Sequence, residues 1–335
     1  MKLKKGMTVA AALLTGVVLV CGCGRYRKQT ELFAGEQAYM DQVDLAEVIL
    51  EDEAVALGET PAAGPAVVKE LAAVEASGIA EKRSGNAVID YSHTEDGYVM
   101  ARFTADTSKR LKAQVKGPTT TYTYNLKAKE WTVFPLSDGN GGYQVSVFEN
   151  VSGDRYAVVV STTFNATLSD EFAPFIRPNQ YVDYETAPNT TAKAAELTAE
   201  MTDPLKKVEA VYDYVVQNLS YDNEKAANVK SGYLPVLDTV LAEKKGICFD
   251  YAALMTGMLR SQGVPCKLVV GYAGTIYHAW ISVWTENTGW VDGVIYFDGG
   301  SWHRMDPTFA SANNNNAAIL EYIENGANYT AKYLY

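Results

Sequence analysis

The stretch that most constrains this chain runs from Lys244 to Pro265, KKGICFDYAALMTGMLRSQGVP. Gly246 breaks the segment before it. Phe249, Ala252, Met255 and Leu259 then recur every three or four residues, until Gln262-Gly263-Val264-Pro265 ends the pattern. This spacing predicts one amphipathic helix with both ends marked. It also sets Cys248 in the first helical turn, where backbone N–H groups lack intrahelical acceptors and favour negative charge. A free cysteine is only a few per cent thiolate at neutral pH. A helix N-terminus raises that fraction, and so does a neighbouring imidazolium. Asp250 shares the turn, where an acid suits the dipole. Facing the sulfur it would oppose the thiolate, so a structural role is expected for it.

Two later segments supply partners for a thiol. In YHAWISVW, His278 opens a strand in which His278, Trp280, Ser282 and Trp284 share one face and Ala279, Ile281 and Val283 the other. An imidazole fixed in direction by a strand and poised near neutral pH is a suitable general base. His303, between Trp302 and Arg304, is a weaker rival, because the adjacent guanidinium disfavours a protonated ring. In RMDPTFA, Pro307 holds Asp306 extended. A carboxylate there could accept from the second imidazole nitrogen, select the tautomer and stabilise the imidazolium. Asp292 and Asp298 are nearby alternatives, but each sits beside a glycine with local turn chemistry to explain it.

The rest of the chain divides by pattern. From Asn86 to Glu185, short runs rich in Val, Tyr, Thr and Phe alternate with turn residues such as Glu95-Asp96-Gly97 and Asp138-Gly139-Asn140. About seven strands at this spacing fit a small antiparallel β-sandwich of the immunoglobulin-like kind. Trp131 and the many tyrosines there read as cross-strand packing, and His93 as a surface residue without a partner. After the connector Ala173 to Glu185, Asp203-Pro204 starts a helix. Leu205, Val208, Tyr212, Val215 and Leu219 carry it to about Asn218, and a shorter helix covers Val236 to Glu243. Strands follow in KLVVGY and HAWISVWT, with GWVDGVIYFDGGSW a hairpin turning at Asp298-Gly299-Gly300 and a short closing helix over Ala317 to Asn325. Helices first and strands after argue α+β. The expected organisation is 1–22, 23–85, 86–185 and 186–335: an address, a spacer, the sandwich and an α+β domain.

The formal charge of −11 is concentrated rather than general. Gln29 to Val68 holds nine acidic residues and no basic one, and reads as a solvated spacer with modest helical content over Gln37 to Leu50. The remainder is near neutral and carries no basic patch, so a nucleic-acid partner is not expected. At the N-terminus, Lys2, Lys4 and Lys5 precede an apolar run, Val9 to Val20, that is too short for a membrane span. It ends in LVCGC, and Gly22 before Cys23 resembles the lipobox of bacterial lipoproteins. That resemblance implies removal of 1–22, lipidation of Cys23 and a membrane tether outside the cytoplasm. Of the four cysteines, Cys248 and Cys266 then remain. Two do not make a disulfide framework, and Cys266 reads as a small apolar filler on a buried strand.

Taken together, GICFDYA before a helix, HAW at a strand start and a downstream DPT resemble the transglutaminase-like core, a papain-like superfamily, over roughly Leu197 to Phe309. The resemblance implies Cys248 as nucleophile, His278 as base and Asp306 as orienting acid. It also suggests an oxyanion partner from the upstream region, for which Tyr221 in NLSYD is the candidate, with core packing its alternative. No EF-hand-like loop is present, so neither metal nor cofactor is expected. The expected function is acyl transfer or hydrolysis at amide or peptide bonds, with envelope proteins or wall peptides as substrates. A non-catalytic envelope binding module of the same fold is the alternative. A zinc site built from Cys248, His278 and Asp306 is a third reading, disfavoured by its single thiolate.

Overall fold

The structure is a computed structural model. It describes residues 73–285, 289–292, 295–297, 302–304 and 329–335. The lipobox-like stretch, Cys23, residues 23–72 of the expected spacer, the turn at 298–300, Asp306 and the expected closing helix lie outside the described residues, whereas 81–84, expected in the spacer, form a strand of the sandwich.

The first half is all β. Strands β1 (Glu81–Ser84), β2 (Ala87–Asp90), β3 (Tyr98–Phe103), β4 (Leu111–Lys116), β5 (Thr121–Leu126), β6 (Thr132–Pro135), β7 (Gly141–Ser152) and β8 (Arg155–Ala166) form two four-stranded sheets. Their orders are β1-β2-β3-β6 and β5-β4-β7-β8, and every pairing is antiparallel. Period-two alternation puts Leu111, Ala113, Val115, Tyr143, Val145 and Val147 into the core, where β1 and β2 lie against β8. The sequence missed β1, because EKRS has no apolar face to signal a strand. His93 differs from expectation. The Glu95-Asp96-Gly97 turn folds back so that Asp96 Oδ2 lies 3.1 Å from His93 Nδ1, and the ring stacks on Tyr98 at 5.2 Å.

The second half is α+β. Helices α1 (Pro188–Leu197) and α2 (Pro204–Asn218) are followed by the short strand β9 (Ser220–Tyr221) and by α3 (Asn223–Asn228). Then come α4 (Leu237–Glu243), β10 (Lys245–Gly246) and α5 (Cys248–Ser261). Strands β11 (Cys266–Ala273), β12 (Ile276–Thr285), β13 (Gly289–Asp292), β14 (Ile295–Phe297), β15 (Trp302–Arg304) and β16 (Tyr329–Leu334) complete the described chain. The main sheet has the order β13-β12-β11-β16 and is antiparallel throughout. Helix α5 packs on β11 and β12, with α1, α2 and α4 around it.

Helices α2, α4 and α5 stand within a residue of where periodicity put them. The Asp203 carboxylate caps α2 by accepting from Leu205 N–H at 2.9 Å. Helix α1 was not foreseen, since PNTTAKAAEL buries only Thr190 and Ala194 and so has no apolar stripe. Its start is held from another element instead: Asp238 of α4 accepts from the Thr190 backbone at 2.7 Å and the Asn189 backbone at 3.1 Å. The GWVD part of the expected hairpin belongs to the main sheet beside β12, while β14 and β15 pair with each other.

The tyrosines of the sandwich do pack across strands, with Tyr143 on β7 opposite Phe164 on β8 at 5.8 Å between ring centroids. They also reach further. The Tyr335 ring lies 5.6 Å from Tyr122, 6.0 Å from Tyr124 and 4.3 Å from Tyr181. This buried aromatic cluster joins the two halves into one hydrophobic core.

Candidate active site

Cys248 is the first residue of α5 and is 1% exposed. Its approach is built in three steps. Lys244, in the left-handed region at φ 51°, ends α4 and turns the chain. β10 then pairs in parallel with β9, with Gly246 opposite Tyr221. Asp222 N–H donates to the Gly246 carbonyl at 2.9 Å and Ser220 N–H to that of Lys244 at 3.0 Å. Tyr221, half-buried against the core, therefore stands beside the backbone two residues ahead of the thiol.

Asp250 closes the turn. Its side chain is fully buried, and Ile247 N–H donates to Oδ2 at 2.9 Å, the reach-back half of a capping box. The same carboxylate accepts from Tyr233 O–H at 2.5 Å and from Lys225 Nζ at 2.6 Å. Gly246 makes room for it: a Cβ there would lie 2.5 Å from Asp250 Cβ. The structural role expected for Asp250 is thus filled by one backbone and two side-chain donors.

His278 is fully buried in β12, opposite Gly271 of β11. The imidazole lies 6.3 Å from the Trp280 ring at an interplanar angle of 23°. Gly271 is required by the neighbouring strand, since a Cβ there would come within 2.1 Å of the Thr330 carbonyl on β16. Ala279, Ile281 and Val283 point into the core from the opposite face of β12. The helix that begins with the thiol and the strand that carries the imidazole are packed neighbours.

The remaining candidates are less informative. Asp306 and Asp298 lie outside the described residues. The backbone of Asp292 pairs with Ser282 on the main sheet, and that of His303 with Tyr296 on the β14–β15 hairpin. Cys248 and Cys266 are not joined in a disulfide. Cys266 is the buried filler expected of it, and burial pushes its thiol up to about 12. Sequence reading missed Lys225 and Tyr233. Their roles depend on a contact between separate elements that no local pattern encodes.

Residues 191–307 match the model of the transglutaminase-like superfamily. This part of the chain is a transglutaminase-like core. Members of the superfamily are typically cysteine-dependent enzymes. The match begins within α1, six residues upstream of the point from which the motifs alone were recognisable.

The chain is 30% identical to the uncharacterized protein YebA of Bacillus subtilis over 117 residues, covering 29% of the chain and 16% of YebA. It is 30% identical to UPF0252 protein MJ1282 of Methanocaldococcus jannaschii over 148 residues, 40% of each. With uncharacterized protein ML0607 of Mycobacterium leprae it shares 28% over 151 residues, 42% of the chain and 46% of that protein. The chain thus spans less than half the length of each of these relatives. Among solved structures, a candidate cysteine protease of Cytophaga hutchinsonii aligns with 71% of the chain and 83% of its own, at 14% identity and a TM-score of 0.36. Red sea bream transglutaminase aligns with 68% of the chain and 53% of its own, at 14% identity and a TM-score of 0.30.

Proposed function

We propose that the protein is a thiol enzyme acting on amide or peptide bonds, held outside the cytoplasmic membrane by lipid on Cys23. Cys248 Sγ attacks the carbonyl carbon, and its proton passes to His278. The C–N bond breaks, the proton moves on to the departing amine, and a thioester on Cys248 remains. Water then releases the acid, or a second amine takes the acyl group. Asp306 orients the imidazole, and Tyr221 with the first backbone N–H groups of α5 stabilises the oxyanion. Envelope proteins or wall peptides are the substrates that such an address would present. The observation that carries the reading is the position of Cys248 at the first residue of a helix packed on the strand of His278. A screen of peptide and amine donors, comparing the full chain with Cys248→Ala, tests it. Turnover that disappears in the variant supports the proposal, and identical product with both proteins overturns it.

One observation favours a second reading. Cys248 is 1% and His278 0% exposed, a burial that also suits a retained fold which binds envelope material without turning it over. Saturable binding of wall peptides, equal in the wild type and Cys248→Ala and without product, would establish that reading.

A further inference from the structure

Asp250 presents a difficulty for a thiol at the start of α5. The fold uses its carboxylate to cap the turn, through Ile247 N–H at 2.9 Å, and reserves space for it by having glycine at 246. An acid without counter-charge in that turn, fully buried, would oppose the thiolate that the helix N-terminus favours. Residues two apart on a helix do not face each other, so the effect acts through space rather than by contact. Burial keeps solvent from screening it.

The counter-charge comes from α3. Lys225 Nζ donates to Asp250 Oδ2 at 2.6 Å and lies 4.3 Å from the centroid of the Tyr233 ring, while Tyr233 O–H donates to Asp250 Oδ1 at 2.5 Å. Helix α3 is itself placed by Asp222, whose side chain accepts from Lys225 N–H at 2.9 Å. Among the described residues a second charged pair at this end of α5 is already matched: Lys245 Nζ lies 3.1 Å from Asp222 Oδ1. Among the described residues, further titratable groups on elements next to the start of α5 include Tyr221 on β9, Tyr277 and His278 on β12, and Tyr181, whose ring lies 5.8 Å from that of Phe249.

We propose that Lys225 is a positioning residue for Cys248, cancelling the charge of Asp250 so that the turn keeps its acidic cap without setting a bare anion beside the thiol. This rests on the reading of Cys248 as nucleophile. It adds to that reading a residue from a separate helix that acts through Asp250.

The test is the pH profile of Cys248 alkylation by iodoacetamide in the full chain, read by mass spectrometry for wild type, Lys225→Met, Lys225→Arg and Lys225→Met/Asp250→Asn. Lys225→Met is expected to move the profile up by about one pH unit, a fall of about tenfold in rate at pH 6. Lys225→Arg keeps the wild-type profile. The double variant, with neither charge, returns towards it, although its packing is no closer to native than that of Lys225→Met. A thermal melt of each variant confirms that the fold is retained. If Lys225→Met alkylates along the wild-type profile while wild-type Cys248 still outpaces Cys266, the role of Lys225 is overturned and the nucleophile stands. If wild-type Cys248 is as inert as Cys266, both fall. A double variant as slow as Lys225→Met would show lost structure rather than lost charge, and would also overturn the proposal.

Discussion

Arg260 and Tyr335 are joined by a 2.6 Å hydrogen bond from Nη2 to the Tyr335 main-chain oxygen, inside a site where the arginine is fully buried. The same guanidinium donates to the carbonyls of Cys266 at 2.8 Å and Arg177 at 2.6 Å. One side chain on α5 therefore ties together the first residue of β11, the connector from the sandwich and the end of the chain. Burial pulls its pKa down to about 10, which still leaves it charged at neutral pH. Arg260→Met would remove the donor that three carbonyls share, although the Tyr335 oxygen would still accept from Leu268 N–H at 2.9 Å. We expect a loss of about 3–5 kcal/mol in urea unfolding, and a change below about 1 kcal/mol would contradict this account of the junction.

The contact between Gly246 and Asp250 gives a second expectation. A methyl group at 246 would lie 2.5 Å from Asp250 Cβ, inside any real contact, so cap or backbone must move. Gly246→Ala should cost about 1–3 kcal/mol in urea unfolding and slow Cys248 alkylation as well. Unchanged stability together with an unchanged rate would mean the turn tolerates what the geometry forbids.

Asp238 sets a pH dependence. Burial pushes its carboxyl up, but hydrogen bonds from the Thr190 and Asn189 side chains and backbone outweigh this and hold it below the ordinary aspartate range. With a folded pKa below the unfolded one, the stabilisation is fully present above the unfolded value near 4 and is lost as pH falls through the folded value. Asp238→Asn should therefore flatten the acid limb of stability below about pH 5 and detach the start of α1. Melting temperature against pH for both proteins checks it; parallel curves would exclude the role.

Tyr221 carries a kinetic expectation. If it serves the oxyanion, Tyr221→Phe keeps the ring packed against the core and loses only the hydroxyl. Turnover should drop by about 100-fold or more with the melting temperature nearly unchanged. A variant with full activity would assign Tyr221 to packing alone.

What the sequence made legible follows from which interactions are local. Helix α5 has a glycine break, a repeating apolar stripe and a stop signal within one short segment, so Cys248 could be placed at its first turn from the text alone. The alternation in β12 likewise fixed which residues share a face with His278. Helix α1 was hidden because its start is held by Asp238, about 50 residues away, and its composition is polar. Strand β16 was hidden for a related reason: it pairs with β11 across a long separation, and YTAKYL alternates too briefly to announce a partner. The Lys225–Asp250 pair is of the same kind. A lysine on a short helix looks like surface charge until the fold brings a buried carboxylate to it.

The most direct measurement is competition between Cys248 and Cys266 for a limiting alkylating agent at pH 6. Burial pushes Cys266 up to about 12, so it is the internal reference for an inert cysteine. The account predicts that Cys248 labels at least tenfold faster than Cys266 and that His278→Ala removes most of the difference. Equal, slow labelling of both thiols in the folded wild type would contradict it.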